Sequence, residues 1–165
     1  MFKYDKIIYM NQKFIIPAHS RVIDLDQVPD EMFKQRLMGD GFALELLDGE
    51  IVAPMDGVIT ALFPTGHAIG MLLEGNIEIL VHIGIDTIKL KNKPIDIFVS
   101  VNEKVKQGQL LVRVDLDKFR EGNIPPIVPI IFTRNTLFSV KKGVDEVQCG
   151  EENIIETYDY SFPWK

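Results

Sequence analysis

The feature that most limits how this chain can fold is a rhythm of short apolar runs, rich in Val and Ile and separated by Gly, Pro, Asn and Asp. The runs fall at Phe14–Ile16, Arg21–Asp24, Ala43–Leu46, Glu50–Val52, Val58–Phe63, Ile69–Leu73, Ile77–Ile83, Ile88–Lys91, Ile97–Ser100, Leu110–Val114, Ile127–Phe132 and Leu137–Val140. Each is too short for a typical helix and is closed by turn formers, so each reads as a strand. Together they predict an all-β fold, an antiparallel β-sandwich or barrel-sandwich. Two segments read as short helices. Asp30–Gly39 carries Met32, Phe33, Leu37 and Met38 at helical spacing with Gly39 as a stop, and Asp115–Gly122 reads as a helical turn. "IPAHSRVI" (Ile16–Ile23) and "APMDGVIT" (Ala53–Thr60) echo one another and suggest a repeated half. "VSVNEKVKQGQLLVRVD" (Val99–Asp115) reads as a strand–turn–strand hairpin.

A chain of 165 residues can bury a core without metal or disulfide staples. Eighteen basic residues against 24 acidic ones give a net charge of −6, which argues against non-specific nucleic-acid binding because phosphate backbones would be repelled. Cys149 is the single cysteine, so an intrachain disulfide and a multi-cysteine metal site are excluded, as suits a reducing compartment. "MFKYDKIIYMNQKF" lacks the apolar run of a signal peptide, and no window approaches the roughly 20 apolar residues of a spanning helix. The expected location is the cytoplasm. The expected organisation is one domain over residues 14–157, with an N-terminal extension at 1–13 and a tail at 158–165.

The most informative stretch is "GHAIGMLLEGNIEILVHIGID" (Gly66–Asp86). Gly75-Asn76 reads as a two-residue hairpin turn, which sets Ile69 opposite His82 and His67 opposite Gly84. With side chains alternating, one face carries His67, Ile69, Met71, Leu73, Glu78, Leu80, His82 and Gly84. The other carries Ala68, Gly70, Leu72, Ile77, Ile79, Val81 and Ile83 and reads as the core face. Both histidines then point to the same side as diagonal neighbours, with Cβ atoms roughly 7 Å apart. Gly84 leaves the space between them uncovered, and Asp86 lies further along the same face. A slip of one residue in register removes this reasoning.

Two imidazoles that converge can share a metal or a phosphoryl group. A structural zinc site usually has four ligands, and the pair offers only two and a carboxylate. A neutral imidazole is a good nucleophile near pH 7, and a second one can donate to phosphoryl oxygens where transition-state charge is spread. No GxxxxGK[ST] loop is present, so ATP is not the obvious donor.

At these residues the chain resembles the glucose-type enzyme IIA domain of the bacterial phosphoenolpyruvate:sugar phosphotransferase system. The motifs that carry the resemblance are "VPDEMFKQRLMGDGFAL" (Val28–Leu44), "VAPMDGVITALFPTGHAIGM" (Val52–Met71), "EILVHIGIDTIKL" (Glu78–Leu90), "VNEKVKQGQLL" (Val101–Leu111) and "PIVPIIFT" (Pro126–Thr133). The resemblance implies an antiparallel sandwich that accepts a phosphoryl group from the phosphocarrier HPr and passes it to the IIB domain of a sugar permease, with no cofactor. It implies that His82 is phosphorylated, at Nε2, that His67 stabilises the phosphoryl group, and that Thr65 orients His67. Asp30 and Asp86 match acidic residues at the rim. Phe33, Leu37, Phe63, Leu80 and Ile88 match an apolar depression where partners dock; for Leu37 and Leu80, ordinary core packing is the simpler reading.

The chain departs from that family in places. "PAHS" (Pro17–Ser20) stands where "PLSG" is usual, and His19 there reads as a surface residue. "LKNKPIDIF" (Leu90–Phe98) puts Asn92 and Pro94 where glycines are usual, which implies another backbone path. The end, "TYDYSFPWK", lies beyond the usual domain. A rival function is a regulatory binder whose docking is switched by the charge of phosphorylation. A biotinyl- or lipoyl-type carrier is disfavoured because no "MKM" tip is present.

Overall fold

In a computed structural model of the chain, residues 8, 9 and 12–159 are described. The strands are β1 (Ile8–Tyr9), β2 (Ser20–Ile23), β3 (Asp40–Leu46), β4 (Glu50–Val52), β5 (Gly57–Leu62), β6 (Ala68–Leu73) and β7 (Ile77–His82). They continue as β8 (Ile95–Ile97), β9 (Lys104–Val105), β10 (Leu110–Val114), β11 (Ile127–Phe132), β12 (Leu137–Val140), β13 (Glu146–Val147) and β14 (Ile155–Asp159). Helices α1 (Glu31–Lys34) and α2 (Leu116–Glu121) are short. All pairing is antiparallel. An eight-stranded sheet runs β13-β2-β3-β11-β7-β6-β5-β9, and two three-stranded sheets run β4-β10-β8 and β1-β14-β12. The chain is thus the expected all-β sandwich.

The main core lies on one face of the large sheet, where Phe42, Leu44, Ile59, Ile69, Met71, Ile79, Val81 and Ile130 meet Ile51, Leu111 and Val112 from the small sheet. A second, smaller core lies on the opposite face: Leu25, Val28, Phe33, Ala43, Ile85, Ile127 and Ile131, with Ile23 and Leu80 against it. Strand β11 is buried on both faces, which explains its unbroken apolar run. Its proline sits where pairing with β7 has stopped. The ladder runs from Phe132↔Ile79 to Ile130↔Val81, and the next rung would set Pro129 beside His82.

Several local expectations are corrected. Phe14–Ile16 is not part of a strand, although its backbone bonds to Pro54, Gly150 and Glu151; Ile88–Lys91 gives way to a 3-10 turn at Thr87–Lys89, and the strand expected at Ile97–Ser100 lies at Ile95–Ile97. The helix expected over Asp30–Gly39 stops at Lys34, because Arg36 takes a left-handed φ of 55°. Strands β9 and β10 do not form a hairpin with one another: β9 pairs with β5, while β10 pairs with β4 and β8. Asn92 and Lys93 adopt left-handed φ values of 73° and 45°, a conformation that a glycine takes without strain. Phe162 and Trp164 lie outside the described residues.

Candidate active site

The hairpin that carries the histidines differs in register from the expected one. Its connection has three residues, Glu74–Asn76, with Gly75 at φ 75° and Asn76 at φ 63°, so Leu73 pairs with Ile77 and Ala68 with His82. The one-residue shift moves every β6 side chain to the other face. Ile69, Met71 and Leu73 belong to the main core together with Ile77, Ile79 and Val81. Glu78, Leu80 and His82 face outward, with Gly70 and Leu72 across from them.

His67 still reaches His82, for a reason that strand alternation does not contain. It stands before β6, in a turn closed by the Gly66 N–H to the Phe63 carbonyl at 2.8 Å and the Phe63 N–H to the Ala68 carbonyl at 3.1 Å. Gly66 is buried at φ 75°, and a Cβ there would lie 2.9 Å from Ile97 Cγ1, so the turn can seat only with glycine. The His67 carbonyl accepts from the Ile83 N–H at 2.6 Å, tying the loop to the end of β7. The two imidazole centroids are 5.8 Å apart at an interplanar angle of 74°.

Gly84 does not lie open between the histidines. It is buried, at φ 77°, and a Cβ would clash with Thr87 Cγ2 and lie 2.7 Å from Phe119 Cε2. Its N–H donates to the Ile127 carbonyl at 2.9 Å. That arrangement aims its own carbonyl at His82, whose Nδ1 lies 2.9 Å away. A carbonyl can only accept, so Nδ1 carries the hydrogen and the lone pair of the neutral ring is on Nε2. Burial holds the His82 pKa below its ordinary 6.5, and His67 adds to the effect; the Gly84 carbonyl and Asp30 oppose it. The imidazole is therefore neutral and nucleophilic near pH 7.

The other expected residues divide into two groups. Thr65 Oγ1 is hydrogen-bonded to His67 Nδ1, leaving Nε2 as the second nitrogen of that ring. The Phe63 ring lies 5.1 Å from His67 and is 47% exposed. The Phe33 ring lies 5.1 Å from His82 but is only 1% exposed, so it is a wall of the site rather than a surface for a partner. Asp30 caps α1, accepting from the Met32 N–H at 2.8 Å. Leu37 is 74% exposed, which overturns the core reading, whereas Leu80 is half-buried against the second core. Asp86 is off the strand, at φ 58°, with Lys89 Nζ 3.6 Å from its carboxylate. The Ile88 side chain lies outside the described residues. His19 is remote, with Nε2 at 2.7 Å from Glu146. Among the described residues no group of three or more His, Cys, Asp or Glu is arranged to hold a metal ion, and no helix is long and apolar enough to cross a membrane.

Sequence reasoning missed what supports His82 from below. Phe119 on α2 and Thr87 press on Gly84, and Pro129 stands at the end of the ladder. The signal for the first was the pair Gly84 and Thr87, three residues apart; nothing local marks Phe119.

Known proteins similar to this chain fall in one family. Residues 12–138 match the family model of the phosphoenolpyruvate-dependent sugar phosphotransferase system, EIIA 1. The chain is 41% identical over 142 residues to the glucose-specific EIICBA component of Staphylococcus carnosus, covering 84% of this chain and 21% of that protein. It is 41% identical over 126 residues to the glucosamine-specific EIICBA component of Bacillus subtilis, covering 76% of this chain and 20% of that one. It thus spans about a fifth of the length of these curated relatives. The solved glucose permease IIA from Mycoplasma capricolum superposes with a TM-score of 0.80 at 35% identity, covering 96% of this chain and 99% of that one. The chain belongs to the EIIA type 1 family of the phosphoenolpyruvate-dependent sugar phosphotransferase system.

Proposed function

We propose that this chain is a cytoplasmic phosphoryl carrier: His82 Nε2 takes a phosphoryl group from phospho-HPr and hands it to the IIB domain of a sugar permease. The observation that carries this reading is the pinned tautomer beside a second imidazole. Nδ1 of His82 is held by the Gly84 carbonyl at 2.9 Å, and the His67 ring lies 5.8 Å away.

In the loading step the Nε2 lone pair forms a P–N bond as the bond to the donor side chain breaks, and the phosphoryl charge is spread over three oxygens. When the Thr65 hydroxyl donates to His67 Nδ1, His67 carries its hydrogen on Nε2 and offers it to a phosphoryl oxygen. Onward transfer reverses the process. Exposed apolar side chains flank the pair, Phe63 on one side and Met32, Leu37 and Met38 on the segment that carries Phe33. Such a surface suits a protein partner that must exclude water from the transfer. Two relatives are named glucose-specific and glucosamine-specific, which supports a sugar of that class as the cargo.

The test is incubation with phosphoenolpyruvate, enzyme I and HPr, followed by mapping of the acid-labile phosphate. The expected site is His82, with sugar phosphorylation once a IIB-bearing permease without its own IIA domain is added. No phosphate, or phosphate on another residue, sinks the reading.

A further inference from the structure

The segment between β2 and β3 crosses the outer face of the large sheet and lays Phe33 against His82. It contains only a 3-10 turn at Leu25–Gln27 and the four residues of α1. Helix α1 ends in a Schellman turn: the Leu37 N–H donates to the Met32 carbonyl at 3.1 Å and the Arg36 N–H to the Phe33 carbonyl at 3.0 Å. The left-handed position of that turn is usually glycine, yet Arg36 occupies it at φ 55°. The backbone gains nothing from an arginine there, so the reason lies in the side chain.

The guanidinium meets three carboxylates. Nη1 donates to Asp26 at 2.8 Å, Nη2 to Asp24 at 3.2 Å and Nε to Asp40 at 3.1 Å. Nη1 also donates to the Lys34 carbonyl at 2.8 Å. Asp24 stands at the entry of the segment, Asp26 in its first turn and Asp40 at its exit. A single exposed ion pair stabilises little. Here one planar fork joins both ends of the segment, and without it three carboxylates would face one another unneutralised.

We propose that Arg36 is a positioning residue for His82: by clamping Asp24, Asp26 and Asp40 it holds Phe33 over the imidazole and keeps water from it. The consequence for transfer rests on the reading of His82 as phosphoryl acceptor; the clamp itself does not. Burial is the largest cause of the lowered His82 pKa, so lifting Phe33 raises that pKa. The charged groups that face His82 are Asp30, at the cap of α1, and His67; β6 and β11 carry no titratable side chain. Lifting the segment also withdraws Asp30, which acts in the other direction but is the smallest of the four causes, so the net change is upward.

The experiment uses the full chain with Arg36→Gly, which favours the left-handed turn while removing the guanidinium, and Arg36→Lys, which keeps a charge but not the fork. Two quantities are read by NMR: amide hydrogen exchange over residues 31–39 and the titration of the His82 imidazole. For Arg36→Gly the amides exchange about tenfold faster and the His82 pKa rises, despite the better backbone. Added salt narrows the difference by screening the three carboxylates. Arg36→Lys falls between the two. Parental exchange and titration in Arg36→Gly overturn the proposal. Faster exchange with an unmoved His82 titration also overturns it, since Arg36 then only stabilises the segment. Failure of the parent to take up phosphate would sink the carrier function and leave both readouts, and so the clamp, standing.

Discussion

The two histidines are held by different means. His82 ends a strand and is tied through Nδ1 to a backbone carbonyl, and that carbonyl is locked by the left-handed turn of Gly84 beneath Phe119 and Thr87. His67 stands in a loop, and its Nδ1 is met by the hydroxyl of Thr65 two residues earlier, in an exposed turn. On the proposed reading, the main chain holds the group that bonds to phosphorus, and a side-chain hydroxyl orients the group that assists. The difference has a physical sense. The nucleophile must present the same nitrogen at every encounter, and a carbonyl that can only accept enforces this. The assisting imidazole must donate to oxygens that arrive with the phosphoryl group, and a hydroxyl, which can donate or accept, lets its tautomer follow.

That contrast can be broken by substitution, and the expected effects are graded. His82→Ala removes the nucleophile, so labelled phosphoenolpyruvate leaves no phosphate on the protein; any loading would reassign the site. His67→Gln keeps a donor of similar reach but cannot become cationic. It should load and then deliver to IIB about 10²–10³-fold more slowly, and parental delivery would make His67 merely structural. Phe63→Asp places a charge on a ring that is 47% exposed, so the fold should survive while partner affinity, read by titration calorimetry, falls roughly tenfold or more. Thr65→Val removes only the hydroxyl that orients His67. One neutral hydrogen bond corresponds to about 2–10-fold in delivery, with loading unchanged.

The smallest effect is with pH. The folded-state pKa of His82 lies below its ordinary 6.5. Just below pH 6.5 the unfolded chain therefore binds more protons than the folded one, and stability falls as pH falls through that window. His82→Asn should flatten this slope in pH-dependent urea melts; an unchanged slope would mean that His82 is not the group responsible.

The sandwich was legible because its strands are short, apolar and bounded by turn residues, and Glu50–Val52, Leu110–Val114, Ile127–Phe132 and Leu137–Val140 fall where the pattern places them. The register of β6 was not legible. Gly75-Asn76 serves a two-residue turn or, with Glu74, a three-residue one, and both β6 faces offer apolar residues. The pattern of β7 was clearer, since Glu78 and His82 mark its outer face. The convergence of the histidines survived the wrong register because His67 lies outside the strand, where Gly66 turns it inward. The support of Gly84 by Phe119 joins residues far apart in sequence, and no local rule anticipates such a contact. Arg36 was hidden for a similar reason: its partners Asp24, Asp26 and Asp40 are scattered over the segment.

The central claim is that the main chain selects which nitrogen of His82 carries phosphate. The most direct measurement is long-range ¹H–¹⁵N NMR of uniformly ¹⁵N-labelled protein, loaded with phosphoenolpyruvate, enzyme I and HPr, with ³¹P coupling to the ring nitrogens resolved. Coupling to Nε2 of His82, with Nδ1 still protonated and bonded to the Gly84 carbonyl, is the predicted result. Coupling to Nδ1, or to either nitrogen of His67, would contradict it.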